Sequence, residues 1–389
     1  MNILFVLPYV PSRIRIRPFN FIKELSERHN VYVVCQSDSS ETGLDEEIKK
    51  YAKDICVIKQ SKFKGYLQAL LAVLTPIPGG MAFCMSRKMK NAIGYTMENM
   101  IFDVVHLEHL RAVSFLPKNI QAPVLFDDVD CLTDLFMQMA KIKKNPFAKI
   151  TNFVEAVKLR FYEPKTVKRF RKTIITSVRE KRKLKSFNEN LVIDVIGNGV
   201  DSEYFKPAGR HKYPHRIVFN GKMSYAPNAN AVIWFASNVF PLIKERVSDA
   251  EFVIVGSKPS SAVKALAKTE GITVTGFVED LRPYLDESSV AVVPMRIAVG
   301  VQNKLLEDLA MGLPVVTTSI SSPGQNVPGV FVADSPKEMA DTICELFEDD
   351  TLRKEEGAAA REFVKEKCSW SAMTNKLETI YGKLTGKDK

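Results

Sequence analysis

The chain of 389 residues is poor in cysteine. It has six (Cys35, Cys56, Cys84, Cys131, Cys344 and Cys368), and none forms a CxxC pair. That excludes a disulfide framework and a thiolate zinc site, and points to reduced thiols in a cytosol. Five histidines with no HExxH arrangement argue against a metal enzyme. No apolar run approaches the roughly 18 residues that a membrane span needs. The opening MNILFVLPYV lacks a basic leader and a small-residue cleavage site, so it is expected to be a buried first strand and not a secretion signal. Internal repeats and low-complexity tracts are also missing.

What is present fits an ordinary globular chain, 46% hydrophobic and 26% charged. Its length exceeds the roughly 250–300 residues at which single cores stop growing, so two domains are expected. The net charge of +10 is uneven: residues 1–210 hold 34 Lys+Arg against 22 Asp+Glu, and the remainder is slightly acidic. A basic half suits anionic partners such as phosphates, nucleic acid or an acidic membrane surface.

Short apolar runs alternate with amphipathic segments. Residues 2–10, 31–36, 102–109, 122–130, 172–178 and 191–201 read as strands in the first half, with a helix from Pro18 to about His29. Residues 215–223, 251–257, 272–278, 290–295, 313–319 and 329–334 repeat the pattern. Continuous apolar strands separated by helices predict α/β domains with parallel, doubly wound sheets, whose ligands sit at the carboxyl ends of the strands. The Gly- and Pro-containing stretch 197–215 marks the boundary region. The expected division is 1–195 and 196–370, with a C-terminal helix over 371–389 packing back on the first domain. Met373, Leu377, Ile380 and Leu384 form the stripe of that helix.

One segment is out of character. Between two valine-rich strands, GVQNKLLEDLAMGLPVV places a glycine (Gly300), then a short helix from about Asn303 to Met311 that Gly312 ends. Leu305, Leu306, Leu309 and Ala310 make its buried stripe, while Lys304, Glu307 and Asp308 share another face near its start. A helix N-terminus with a nearby glycine and lysine attracts phosphate, and a carboxylate one turn deeper can accept the two hydroxyls of a ribose. The alternative is a lysine–glutamate pair on a solvated face.

The same segment resembles the signature of retaining glycosyltransferases of family 4, a GT-B group that uses nucleotide sugars. TSVREKRKL…VIGNGVDSEYFKP, IVFNGKMSYAPNANAVIWF and FVIVGS…ITVTGFVEDLRPYLDESSVAVVP are similar to other stretches of that family, in order and spacing, over about residues 170–385. The resemblance implies two facing Rossmann-like domains with a cleft between them, the first for an acceptor and the second for the donor. It implies that Glu307 holds the donor ribose and that Lys304 lies near the diphosphate. Lys222, after Gly221, would neutralise the leaving pyrophosphate. Gly221, Gly300 and Asn303 complete the implied nucleotide-sugar site. It implies no cofactor and no metal, because Lys, Arg and helix N-termini can meet the charge of the leaving group.

Three departures from the family pattern stand out. Val299 occupies a position that is often glutamate, Pro227 and Asn228 replace a Lys-Gly pair, and Asp127 and Asp128 occupy the region of a histidine. A subgroup of bacterial exopolysaccharide assembly tolerates such changes. Lys222, Asp128 and His106 are the catalytic candidates, His106 because it ends a strand at the ligand edge. DDVD at 127–130 reads as a loop after a strand and not as a metal-binding Asp-x-Asp. Arg13, Arg15 and Arg17 are placed in the first strand-to-helix loop, where they can bind donor or acceptor phosphate.

The apolar stretch 62–83 has basic flanks, and residues 158–185 carry 12 Lys+Arg against Glu163 and Glu180. Both can dock on an anionic membrane, with a buried helix pair as the alternative. The expected protein is therefore a cytoplasmic enzyme, peripheral on the inner face of the membrane. It moves a sugar to a lipid-linked or oligosaccharide acceptor with retention, in bacterial surface polysaccharide synthesis. The rivals are a sugar-nucleotide epimerase on the same fold, a non-catalytic scaffold, and a nucleic-acid-binding module at 141–185, which has no aromatic stacking pattern behind it.

Overall fold

A computed structural model describes residues 1–37, 45–142, 145–324 and 327–386. The chain divides into two compact units, Met1–Gly197 with Met373–Lys389, and Asn198–Ala372.

The first unit holds seven parallel strands: β1 (Asn2–Leu7), β2 (Asn30–Ser37), β3 (Asp54–Lys59), β4 (Val104–Glu108), β5 (Val124–Val129), β6 (Lys172–Ile175) and β7 (Ile193–Val195), in the order β3-β2-β1-β4-β5-β6-β7. Parallel strands covered by helices on both faces must be apolar throughout, and Ile3 to Leu7 of β1 are fully buried. The strand order reverses between β1 and β4, which makes the carboxyl end of that pair the expected ligand edge.

The second unit repeats the plan with β8 (Arg216–Asn220), β9 (Glu251–Val255), β10 (Ile272–Gly276), β11 (Val290–Val293), β12 (Val315–Thr317) and β13 (Val330–Val332), ordered β10-β9-β8-β11-β12-β13. All are parallel. Its switch point lies between β8 and β11.

Three local readings are corrected. β3 is absent from the sequence-based strand assignment because it is an edge strand, only half-buried, with charged ends at Asp54 and Lys59. The first helix runs Ile16–Ser26, so Arg17 is a helical residue and not a loop residue. Asp127 and Asp128 lie within β5 and are fully buried, so they are not in a solvated loop.

The terminal helix Trp370–Thr385 buries Met373, Leu377, Ile380 and Leu384, and residues 387–389 of the expected helix lie outside the described residues. From Met373 onward it belongs to the first unit. There Glu378 accepts from His29 at 2.7 Å and Tyr381 bonds His106 at 2.6 Å.

Candidate functional site

The site of the second unit is built at the ends of β8 and β11. The helix Asn303–Ala310 follows β11 and ends at Gly312, whose φ is 69°. Leu305, Leu306, Leu309 and Ala310 are buried, as their spacing requires. Lys304 is also buried, at 9% exposure, which removes the alternative of a solvated ion pair. Its ammonium donates to Asn228 Oδ1 at 2.7 Å and lies 4.1 Å from the centre of the Phe219 ring. Glu307 accepts from Asn220 Nδ2 at 3.1 Å. Asn303 accepts from Asn198 Nδ2 at 2.8 Å.

Glycine is required at two facing turns. Gly221 has φ 147°, and a Cβ there would sit 2.9 Å from both Lys304 Nζ and Asn228 Nδ2. Gly256, after β9, has φ 156°, and its Cβ would fall 1.8 Å from the Gly221 carbonyl oxygen. Only backbone fits between the ends of β8 and β9. Lys222 is exposed, and its carbonyl accepts from Asn228 Nδ2 at 3.0 Å. Gly300 is half-buried with φ 64°, in the loop leading to the Asn303–Ala310 helix. The N-cap of that helix, Gln302, makes no side-chain capping bond, so no cap side chain blocks its first amides from a ligand.

Burial dominates the electrostatics. It pulls the Lys304 ammonium down to about 7, against the pull of Asp308 and Glu307. It pushes Glu307 up to about 7, against Lys304 and the Asn220 hydrogen bond. Asp308 is 1% exposed, its Oδ1 has no hydrogen-bond partner among the described residues, and burial with Glu307 nearby raises it well above the usual range. A lysine poised to take up a proton beside a half-ionised carboxyl is suited to an anion that carries hydroxyl groups.

The remaining candidates lie in the first unit. Arg13 is exposed and pairs with Glu47 at 2.8 Å. Arg15 lies over the Tyr9 ring at 4.2 Å. Arg17, 4% exposed, gives Asp127 a 2.7 Å ion pair and the Gly197 carbonyl a 3.0 Å hydrogen bond. The register of β1 and β4 pairs Phe5 with His106, whose rings stack at 4.4 Å. His106 is fully buried, with Nε2 3.4 Å from Asp127.

Asp128 is fully buried, and both its carboxyl oxygens lack a partner among the described residues. Burial, then Glu163 and Glu180, raise it well above the usual carboxylate range. Those two glutamates hold the turn after β5: Glu163 accepts from the Leu132 and Thr133 amides at 2.8 and 3.0 Å, and Glu180 from the Cys131 amide at 2.9 Å. Val129 has φ 65° and His109 φ 74°, strained conformations for residues with side chains at the carboxyl ends of β5 and β4.

His106, Glu108 and Asp127 offer ligand atoms within 4.8 Å of one another. A metal fits poorly there. The Arg17 guanidinium already neutralises Asp127, and burial pushes Glu108 up to about 8, where it holds a proton.

Thus Gly221, Lys304 and Glu307 come together, Lys222 borders them, and Asn303 and Gly300 shape the approach. Sequence reasoning missed Asn220 and Asn228, which hold Glu307 and Lys304. Their only signal was position, since Asn228 stands where the resembling family carries a Lys-Gly pair. It also missed Tyr381, which bonds His106 from 275 residues away.

Residues 214–349 match the model of the family described as Glycosyl transferases group 1. No curated protein sequence matches the chain. Among solved structures, a glycosyltransferase from Rickettsia africae is similar over 100% of this chain and 99% of its own, with TM-score 0.69 and 16% identity. Anabaena HepE, solved with UDP and glucose, is similar over 98% of this chain and 100% of its own, with TM-score 0.65 and 13% identity. The N-terminal domain of a Candida albicans trehalose-6-phosphate phosphatase reaches TM-score 0.65 at 10% identity, over 98% of this chain and 97% of its own. At such identities these likenesses show the fold, which is that of GT-B glycosyltransferases.

Proposed function

Since its second unit carries the domain of glycosyl transferases group 1, we propose that this protein moves a sugar from a nucleotide-sugar donor to an acceptor. The observation that carries the reading is the grouping of Gly221, Lys304 and Glu307 at the β8/β11 switch point. Glu307 accepts the ribose hydroxyls. Lys304, the exposed Lys222 and the first amides of the Asn303–Ala310 helix meet the diphosphate. No metal is required when cations and amides already face the leaving group. Transfer with retention, with the leaving phosphate taking the acceptor proton, follows from the family 4 resemblance. HepE was solved with UDP, which makes UDP-sugars the first donors to test.

The acceptor we propose is lipid-linked or a glycan, bound by the first unit and serving bacterial surface polysaccharide synthesis. No helix among the described residues is long and apolar enough to cross a membrane. Peripheral binding to an anionic inner membrane face is supported by exposed apolar side chains, Phe63, Leu70, Leu74 and Phe161 among them, on the basic half of the chain.

A thermal-shift screen against nucleotide sugars tests the reading. Stabilisation by one nucleotide series, lost in Glu307→Ala, is the expected result. No shift with any nucleotide sugar, or an unchanged shift in Glu307→Ala, overturns the assignment.

A further inference from the structure

The second unit carries a cavity of about 450 Å³ on the edge of its sheet opposite Lys304 and Glu307. Pro214, Ser289 and Pro314 line it, and they stand just before β8, β11 and β12, at the amino ends of those strands. The facing wall is one side of the helix Asp350–Lys367, where Arg353, Gly357 and Arg361 follow one another at helical spacing. The volume falls in the roughly 300–1,000 Å³ range of small-molecule sites.

Close packing holds the cavity open. A Cβ on Gly357 would fall 2.3 Å from the Gly312 carbonyl oxygen, so the helix lies directly on the turn that ends Asn303–Ala310. At Gly357 and Ala358 the helix then offers at most a methyl group to fill the space beside that contact. The floor is apolar. Pro207, Pro214 and Pro314 have no amide hydrogen to donate, and Met311 among them is 1% exposed. Strand ends and a packed helix make the walls, so little ordering opposes a ligand that enters.

The charges of the lining do not balance. Lys212, Arg353, Lys354 and Arg361 face one lining carboxylate, Asp350. That carboxylate is shared, 2.8 Å from Arg353 and 2.5 Å from Lys354. Asp286 also acts on the Lys212 charge, but its Oδ2 already accepts from the Ala208 and Arg210 amides at 3.0 and 3.1 Å. Among the described residues Arg361 has only carbonyl partners: Phe205 at 2.9 Å, Ser202 at 3.3 Å, and Ala310. A guanidinium has more N–H donors than these bonds use. Lys212 forms no hydrogen bond or ion pair among the described residues. Four cations thus face two carboxylates, and the excess suits a dianion.

We propose that this cavity is a second ligand site, remote from the Lys304–Glu307 grouping, which takes a small phosphate monoester with a compact, flat body. Lys212 and the spare donors of Arg361 meet the phosphate oxygens. The body packs between the proline floor and the Gly357–Ala358 face of the helix. A carboxylate or a sulfate ester brings a single charge, and inorganic phosphate leaves the apolar floor uncovered. The site goes beyond the glycosyl-transfer reading and does not depend on it.

The test is calorimetry on the full chain at pH 7.5 with phenyl phosphate, inorganic phosphate and benzamide. At that pH, above a second pKa of about 6, the monoester is a dianion. Phenyl phosphate should bind at least about tenfold tighter than either of the others. Lys212→Ala should weaken it by about fivefold or more. Ala358→Phe, which fills the cavity from an exposed helix position, should abolish it. Lys304→Met should leave it unchanged, because that lysine lies at the other edge of the sheet. Melting temperatures within about 3 °C of the parent show that the variants fold. No binding of phenyl phosphate, or equal binding of inorganic phosphate or benzamide, overturns the proposal. So does unchanged affinity in Lys212→Ala or in Ala358→Phe. A loss in Lys304→Met also overturns it, since the probe would then occupy the Lys304–Glu307 site.

Discussion

Asn228 holds the Lys304 ammonium through a 2.7 Å hydrogen bond, and the amide of the same side chain binds the Lys222 carbonyl at 3.0 Å. One asparagine thereby ties the helix after β11 to the turn after β8, and both lysines to one geometry. Asn228→Ala leaves the Lys304 ammonium without this acceptor. UDP affinity should fall by about three- to tenfold, since one such bond contributes about 0.5–1.5 kcal/mol. Asn228→Asp should recover binding at neutral pH less well than the parent, because a carboxylate repels the diphosphate. Calorimetry with UDP reads both.

Lys304→Met should separate binding from stability. It removes a buried amine whose ionisation burial opposes, so the melting temperature of the unliganded protein at pH 7 should rise. UDP affinity should fall by more than about tenfold, since the diphosphate loses its buried cation. A variant that loses stability and keeps its UDP affinity would show that Lys304 is structural.

Stability should dip near neutral pH. Glu307 is raised from 4.5 to about 7, so between those values the folded state binds more protons there than the unfolded chain, and stability falls as pH rises. Lys304 is lowered from 10.5 to about 7, so above pH 7 the unfolded chain binds more protons, and stability rises with pH toward 10.5. Urea titrations across pH 5–10 should show this minimum, and Lys304→Met should lose its alkaline limb.

Binding of the diphosphate favours protonated Lys304. UDP binding should therefore take up protons at and above pH 7, and affinity should decline as pH rises through that value. Calorimetry in buffers of different ionisation enthalpy measures the uptake directly. Glu307→Ala should lower nucleotide-sugar affinity strongly while leaving this alkaline decline in place, because the decline belongs to Lys304.

Gly256→Ala should disrupt the donor site from a distance. Its methyl would fall 1.8 Å from the Gly221 carbonyl oxygen, so the ends of β8 and β9 must part. A loss of several kcal/mol, about 3 or more by analogy with overpacked and strained sites, is expected in urea unfolding. Near-parental stability would show that the two turns are not locked together.

Much of the candidate site in the second unit was legible as a grouping because the spacing that builds it is local. Within GVQNKLLEDLAMGLPVV, eight residues set the helical spacing of Leu305, Leu306 and Leu309, and the same spacing places Lys304 and Glu307 one turn apart. Gly300 was readable as the glycine of the loop before that helix for the same reason, whereas Gly221 entered only through the family resemblance. Arg17 and Asp128 were not readable in this way. Arg17 looked like a third loop arginine, and its partner Asp127 lies 110 residues away in a strand that the β1/β4/β5 arrangement brings alongside. Asp128 looked like part of a polar loop, and its burial among Glu163 and Glu180 depends on how two later helices return to the sheet.

The sequence by itself determined the alternation of strands and helices, the two α/β units and the phosphate-suited segment, because hydrophobic period and glycine placement act over a few residues. Only the tertiary structure decided which charges are buried and what they face. Burial and partner choice arise from residues far apart in sequence. They decided between the phosphate-facing and the solvated reading of Lys304, making it a buried, proton-poised cation, and they made Arg17 an internal counter-ion.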